Sequence, residues 1–282
     1  MAGTFARDVV VAPVGPGRYR ASLGHSWDLF PRPQGGVVAS FALRAAQAEL
    51  ARPDQRLRTC TAVFAGAVSA GELEIEVTVL RRGRSASQLT ATVRNADQTS
   101  GTTVVAVYGA VRRGPSFVEL VPPEVPRPSA CPSYRGPFPP GVDVGPTTPF
   151  WSRVEARSAL GHAPWEDFAP GPAEAATWVR FDDPPRSADG SLDPLAVVAL
   201  ADRMPGSVRQ RVGPGGDPWF APSADLTVHL FEPARTEWLL AHDRARWADD
   251  GWASAETALW AEDGTLVAYA TQMMIFSYPT GP

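Results

Sequence analysis

The chain has 282 residues, 44% of them hydrophobic and 20% charged, enough for one large core or two ordinary ones. Its formal net charge of −4 gives no general attraction to nucleic acid or to an anionic membrane, so neither is an expected partner. Its two cysteines, Cys60 and Cys131, lack metal-ligand spacing, which excludes a zinc motif and a disulfide framework and points to a reducing compartment.

The segment from Met1 to Gly24 contains Val9-Val10-Val11 broken by Pro13 and Pro16, which is not the pattern of a signal peptide. No apolar run approaches the roughly 18 residues of a membrane span, so a cytoplasmic protein is expected. An aromatic lead-in, Gly24 to Phe30, precedes Gln34-Gly35-Gly36, and from Val37 to Leu50 nearly every residue is helix-compatible and apolar in the front half. A helix apolar almost all round belongs inside something.

Runs at Thr59–Val68, Leu73–Leu80, Ser85–Val93 and Thr102–Val111 follow, with turn signals at Ser69-Ala70-Gly71, Arg82-Gly83 and Asn95-Ala96-Asp97. Leu73, Ile75, Val77 and Val79 alternate with Glu74, Glu76 and Thr78, the period of two of a half-buried strand. From Arg112 to Pro149 closely spaced prolines exclude regular structure and predict a linker, within which Tyr134 and Phe138 dock on a surface. The expected organisation is therefore an N-terminal unit over 1–112, a linker over 113–149 and a C-terminal unit over 150–282.

The second unit repeats the order of the first. Strands are expected at Phe150–Ala156 and Ala176–Phe181, then Asp193-Pro194 caps a helix containing Leu195 to Ala201. Strands at Asp225–Phe231, Glu237–Trp247, Ser254–Trp260 and Leu266–Phe276 close the chain, the last three joined by Asp249-Asp250-Gly251 and Glu262-Asp263-Gly264. Self-similarity of this kind defines architecture. A long antiparallel sheet around one buried helix is the hotdog arrangement, so the fold class is α+β, a double hotdog.

One residue stands out. Leu195, Val198, Ala199 and Asp202 lie at i, i+3, i+4 and i+7, so Asp202 shares a helical stripe with residues that face inward. Burying an unpaired carboxylate costs several kcal/mol, so Asp202 is paired, neutral or facing a cavity, unless the last turn frays and it reaches solvent before Pro205-Gly206. Laying Ala42-Leu43 on Ala199-Leu200 and Val105-Ala106 on Val267-Ala268 puts Ala45 opposite Asp202 and a residue near Ala110 opposite Gln272. The second unit thus carries polar groups that the first lacks.

Asp202, Ser223 and the strand it opens with Asp225-Leu226-Thr227, and Gln272 in Ala270-Thr271-Gln272-Met273 make up one constellation. With Gln34-Gly35-Gly36 and Gly83-Arg84-Ser85-Ala86-Ser87, it resembles the type II (TesB-like) acyl-CoA thioesterases over most of the chain. Two departures are visible: the family's Asp-His-Ser strand motif reads Asp225-Leu226-Thr227, and its Arg-Pro-Gly turn reads Ala65-Gly66-Ala67. The resemblance implies hydrolysis of acyl-CoA to a free acid and CoA, with Asp202, Ser223 and Gln272 holding the attacking water. CoA enters as part of the substrate, with no separate cofactor and no metal.

Chemistry gives the same three residues work: a thioester carbonyl accepts water that is oriented and loses a proton, Asp202 being the base and Ser223 and Gln272 the hydrogen-bonding partners. Gly35 and Gly36, at a helix start, are candidate backbone donors to the oxyanion. Arg84, with Arg81 and Arg82, meets CoA phosphates or else forms a solvated strand end. The hotdog sheets are expected to join copies of the chain into a homo-oligomer. Two other readings are a non-catalytic acyl-thioester binder and an enoyl-CoA hydratase-like enzyme; the latter wants a histidine beside an acid at a helix start, where none of the four histidines stands.

Overall fold

The computed structural model describes residues 4–29 and 31–278; Phe30 of the aromatic lead-in lies outside them. A short helix α1 (Thr4–Asp8) and strands β1 (Ala12–Gly15) and β2 (Arg18–Leu23) precede the long helix α2 (Gly35–Leu50). Strands β3 (Arg56–Phe64), β4 (Gly71–Arg82), β5 (Ala86–Asn95) and β6 (Thr102–Gly109) complete the first half. The second half holds β7 (Val154–Leu160), β8 (Glu174–Phe181), α3 (Pro194–Ala201), α4 (Pro205–Val212), β9 (Ser223–Leu230), β10 (Leu239–Asp249), β11 (Trp252–Ala261) and β12 (Leu266–Ile275).

All twelve strands form one antiparallel sheet in the order β1-β2-β4-β5-β6-β3-β9-β12-β11-β10-β8-β7. The two halves meet where β3 pairs with β9, with Thr61 opposite Thr227 and their hydroxyls 2.9 Å apart. Read outward from that pair, β6, β5, β4 and β2 on one side match β12, β11, β10 and β8 on the other. The sheet curls around α2 and α3, whose side chains form a shared core: Phe41, Leu43 and Leu50 of α2 and Val198 and Leu200 of α3 are buried. The double hotdog is therefore the fold.

The pairings fix the internal equivalence more tightly than local sequence identity. Thr61 pairs with Val105 on β6, and Thr227 with Thr271 on β12, so Ala106 is the counterpart of Gln272. The expected counterpart near Ala110 is off by four residues. Helix caps correct the other match: Gln34 caps α2 and Asp193 caps α3, each accepting from a backbone N–H, and nine residues on from them stand Leu43 and Asp202. Leu43 rather than Ala45 is thus opposite Asp202.

Three other features depart from the sequence expectation. Pro205-Gly206 opens α4 rather than ending helical structure, because proline tolerates the first helical position. The strand expected from Phe150 starts only at Val154, after a turn in which Val154 N–H donates to the Phe150 carbonyl. β1 and β2 were not anticipated, although Arg18–Leu23 alternates exposed and buried residues. The proline-rich segment carries only a 3-10 turn, Pro128–Ala130, and runs along the second half, where the Pro126 carbonyl accepts from the Trp178 indole.

Candidate active site

Asp202 ends α3 inside the protein, 7% exposed, and Leu195 to Ala201 before it are all buried. The fraying alternative is thereby removed. Its Oδ1 accepts from the Ser223 hydroxyl at 2.9 Å and from Gln272 Nε2 at 3.0 Å, and its Oδ2 accepts from the Gly36 N–H at 2.8 Å. Gln272 Nε2 also donates to Ser223 Oγ, which closes a triangle of the three side chains.

Backbone geometry explains how each side chain arrives. Alternation along β12 turns Ala268, Ala270, Gln272 and Met274 to the core, so Gln272 points inward by period alone. Alternation from Leu226 and Val228 would leave Ser223 facing outward. A bulge at Ala224, seen as the step from Asp225 opposite Met273 to Ser223 opposite Met274, restores Ser223 to the inner face. Asp225 supports the bulge by accepting from the Met273 N–H at 2.8 Å. The symmetric bulge at Arg58 on β3 turns Leu57 inward in the same way.

The glycines let the helices touch. A Cβ on Gly36 would lie 2.8 Å from Ala199 Cα and from the Val198 carbonyl oxygen, and one on Gly35 would lie 2.7 Å from Asp202 Oδ2 and 2.9 Å from the Phe64 ring. Gln34, missed as a site residue, fixes the crossing: its Nε2 donates to the carbonyls of Ala199 and Asp202, both at 2.8 Å, while its Oε1 accepts from Val37 N–H. Its position just before two glycines and a buried helix was the available signal.

Behind Asp202, Arg203 Nη1 meets Asp243 on β10 at 3.2 Å, both side chains nearly buried. Burial pushes the Asp202 carboxyl above the usual carboxylate range, against the opposing hydrogen bonds from Ser223, Gly36, Gln272 and Gly35. Burial also raises Asp243, with Arg203 acting the other way. Gln272 Oε1 is buried and takes no hydrogen bond. The triangle therefore offers a base of raised pKa beside an unused acceptor.

Arg84 is not part of this constellation. It is exposed in the turn between β4 and β5, and its carbonyl accepts from Arg52 and Gln55 just beyond the C-terminal end of α2. Fifteen residues of helix separate that end from Gly35, about 22 Å at 1.5 Å per residue. A cavity of about 700 Å³ also lies at the far end, among residues such as Leu50, Leu57, Leu195 and Val267, and does not touch Asp202. Among the described residues no cluster suited to a metal ion occurs, and no helix is long and apolar enough to cross a membrane.

Residues 23–111 match the acyl-CoA thioesterase N-terminal domain, and residues 128–276 match the acyl-CoA thioesterase C-terminal domain. The chain belongs to the acyl-CoA thioesterase family. Among solved structures, this thioesterase is similar to a hotdog-fold protein of unknown function from Alicyclobacillus acidocaldarius, with 24% identity, a TM-score of 0.80, and 99% of this chain and 100% of that one covered. It is also similar to the acyl-CoA thioesterase II TesB2 of Mycobacterium marinum, at 19% identity and a TM-score of 0.75 over 99% and 100% of the two chains. A tesB protein of Mycobacterium avium subspecies paratuberculosis gives 18% identity and a TM-score of 0.74, covering 97% and 98%. At these identities the likenesses speak for the fold, and no curated protein matches the sequence.

Proposed function

We propose that this member of the family hydrolyses acyl-CoA by direct attack of a water molecule held by Asp202, Ser223 and Gln272. The observation that carries the reading is the triangle itself, three side chains from a helix end and two strands converging on one buried carboxylate that keeps an unused acceptor, Gln272 Oε1, at its side. A water bound there donates one hydrogen bond to Asp202 and one to Gln272 Oε1, which leaves a lone pair for the thioester carbon.

As that oxygen bonds to carbon, its proton passes to Asp202, and the carbonyl electrons move to oxygen. Collapse of the tetrahedral intermediate breaks the C–S bond. The thiolate leaves with the proton that Asp202 held, giving free acid and CoA. The raised pKa of Asp202 suits it to both proton transfers, a role worth about 10²- to 10⁴-fold in rate.

Gly36 N–H donates to Asp202 in the resting site, so its first role in the proposal is to hold the base. As Asp202 takes up the proton its attraction for the amides falls, and the Gly35 and Gly36 N–H groups, fixed at the positive end of α2, are freed to stabilise a neighbouring oxyanion. Arg84 has no part in holding the water, because of its distance from the triangle.

Purified protein assayed against a series of acyl-CoA chain lengths with a thiol-detecting reagent tests this. Thiol release with equimolar free acid is the expected result. Tight acyl-CoA binding with no thiol released would favour a non-catalytic binder instead, and hydration of crotonyl-CoA would favour a hydratase. His242 is buried on β10 and bonds Glu174 at 2.6 Å, and His25, exposed at the start of a 3-10 turn, bonds Asp28 at 2.7 Å; neither stands at the start of the buried helices α2 and α3, which gives the hydratase reading no support.

A further inference from the structure

The internal twofold relation that places Asp202, Ser223 and Gln272 in one half also marks the equivalent position in the other. There the counterparts are Leu43, Leu57 and Ala106, so no base and no water-holding group remain. The space beside Leu57 has not closed. It forms the cavity of about 700 Å³, within the range of about 300–1,000 Å³ usual for small-molecule sites. Leu50, Leu195, Val197, Leu230 and Val267 supply an apolar lining from both halves.

Within this lining, two residues adjacent in sequence, Gln55 and Arg56, are polar and keep unpartnered groups. Gln55 is 5% exposed, and its Oε1 takes no hydrogen bond; Arg56 Nε is buried and donates none. The other charges around the mouth are engaged or have neighbours. Arg52 pairs with Asp54, Asp193 with Arg44, and Asp189 with Arg235, while Glu232 lies near Arg58. An apolar chamber whose wall includes the Arg56 guanidinium and the Gln55 carboxamide fits a chain carrying a small polar head.

We propose that this cavity is a second, non-hydrolytic binding site for an acyl chain, its head group meeting Arg56 and Gln55. The ligand class rests on the thioester reading of the Asp202 site, since the two positions are duplicates of one ancestral frame; the cavity and its unpartnered groups do not. A free carboxylic acid and the acyl part of an acyl-CoA share the chemistry that the cavity recognises.

Native mass spectrometry of the intact protein with a long-chain saturated carboxylic acid, and in parallel with a non-hydrolysable acyl-CoA thioether, counts ligands per chain. Two equivalents of at least one ligand are expected, and whichever arm shows two identifies the source. One equivalent is then lost in Arg56→Leu and in Leu230→Trp. A diazirine-bearing fatty acid, which needs no variant, is expected to label the peptides around Leu50–Leu57 and Pro194–Val197. One equivalent or none in both arms, two that survive both substitutions, or labelling confined to the neighbourhood of Ser223, overturns the proposal. Thiol release by the wild-type protein is scored separately, so that hydrolysis with a single bound ligand sinks the second site alone, and absence of hydrolysis sinks the thioester reading.

Discussion

Ser223, Gln272 and the Gly36 amide all donate to Asp202, yet burial still wins and raises its pKa, so the folded site holds a proton more tightly than an ordinary aspartate near 3.9. Because the carboxylate is the form that accepts the water's proton, activity must rise with pH through that elevated pKa. A profile of kcat/KM against pH is therefore expected to show an acid limb with its midpoint above the usual carboxylate range. An acid limb at or below that range would separate Asp202 from the base. For stability the sign is opposite: the folded state binds more protons than the unfolded chain between the two pKa values, so this group's contribution weakens as pH rises through that interval. At the same scale, Gly36→Ala forces a methyl to within 2.8 Å of Ala199 Cα and the Val198 carbonyl. A loss of about 1–3 kcal/mol is expected from such overpacking, read as a lower midpoint of thermal unfolding.

Among the elements, the contact between the start of α2 and the end of α3 decides whether Asp202 is in place. Gln34 ties the two backbones together, and the Arg203–Asp243 pair ties the segment between α3 and α4 to β10. Removing one member of a pair buried this far costs about 3–5 kcal/mol, whereas replacing both by apolar residues costs much less. Arg203→Met alone is expected to destabilise by that amount, and adding Asp243→Leu to recover most of it; equilibrium unfolding of the single and double variants measures both. Additive losses would show that the pair does not act as a unit. The period-two pattern that reveals β4 and β12 is written in the sequence, and so is the buried character of α3. The bulges at Ala224 and Arg58 are not, because a one-residue insertion changes which face every preceding side chain takes without changing local composition. Asp202, Ser223 and Gln272 were singled out from the sequence, Asp202 by its helical stripe and all three through the resemblance, and the fold brings them together, while Gln34 and Arg203 act through long-range contacts that no local pattern exposes.

On the scale of the whole molecule, the chain is one sheet with two related halves that have diverged in chemistry. The order helix, then strands, repeated twice, made the double hotdog legible, whereas the correct internal register needed the pairing of Thr61 with Thr227. The N-terminal segment was illegible for a different reason. Phe5 and Trp27 pack against Phe181 of the second half, a tertiary contact made across the sheet's two halves. Divergence gives one candidate catalytic site per chain, since the counterpart carries Leu43, Leu57 and Ala106. The decisive measurement is the rate of thiol release from acyl-CoA by Asp202→Asn, with circular dichroism and thermal unfolding run on the same sample. A folded variant whose kcat is lower by about 10²- to 10⁴-fold is the predicted result. A folded variant that releases thiol at the wild-type rate would contradict the assignment of Asp202 as the base.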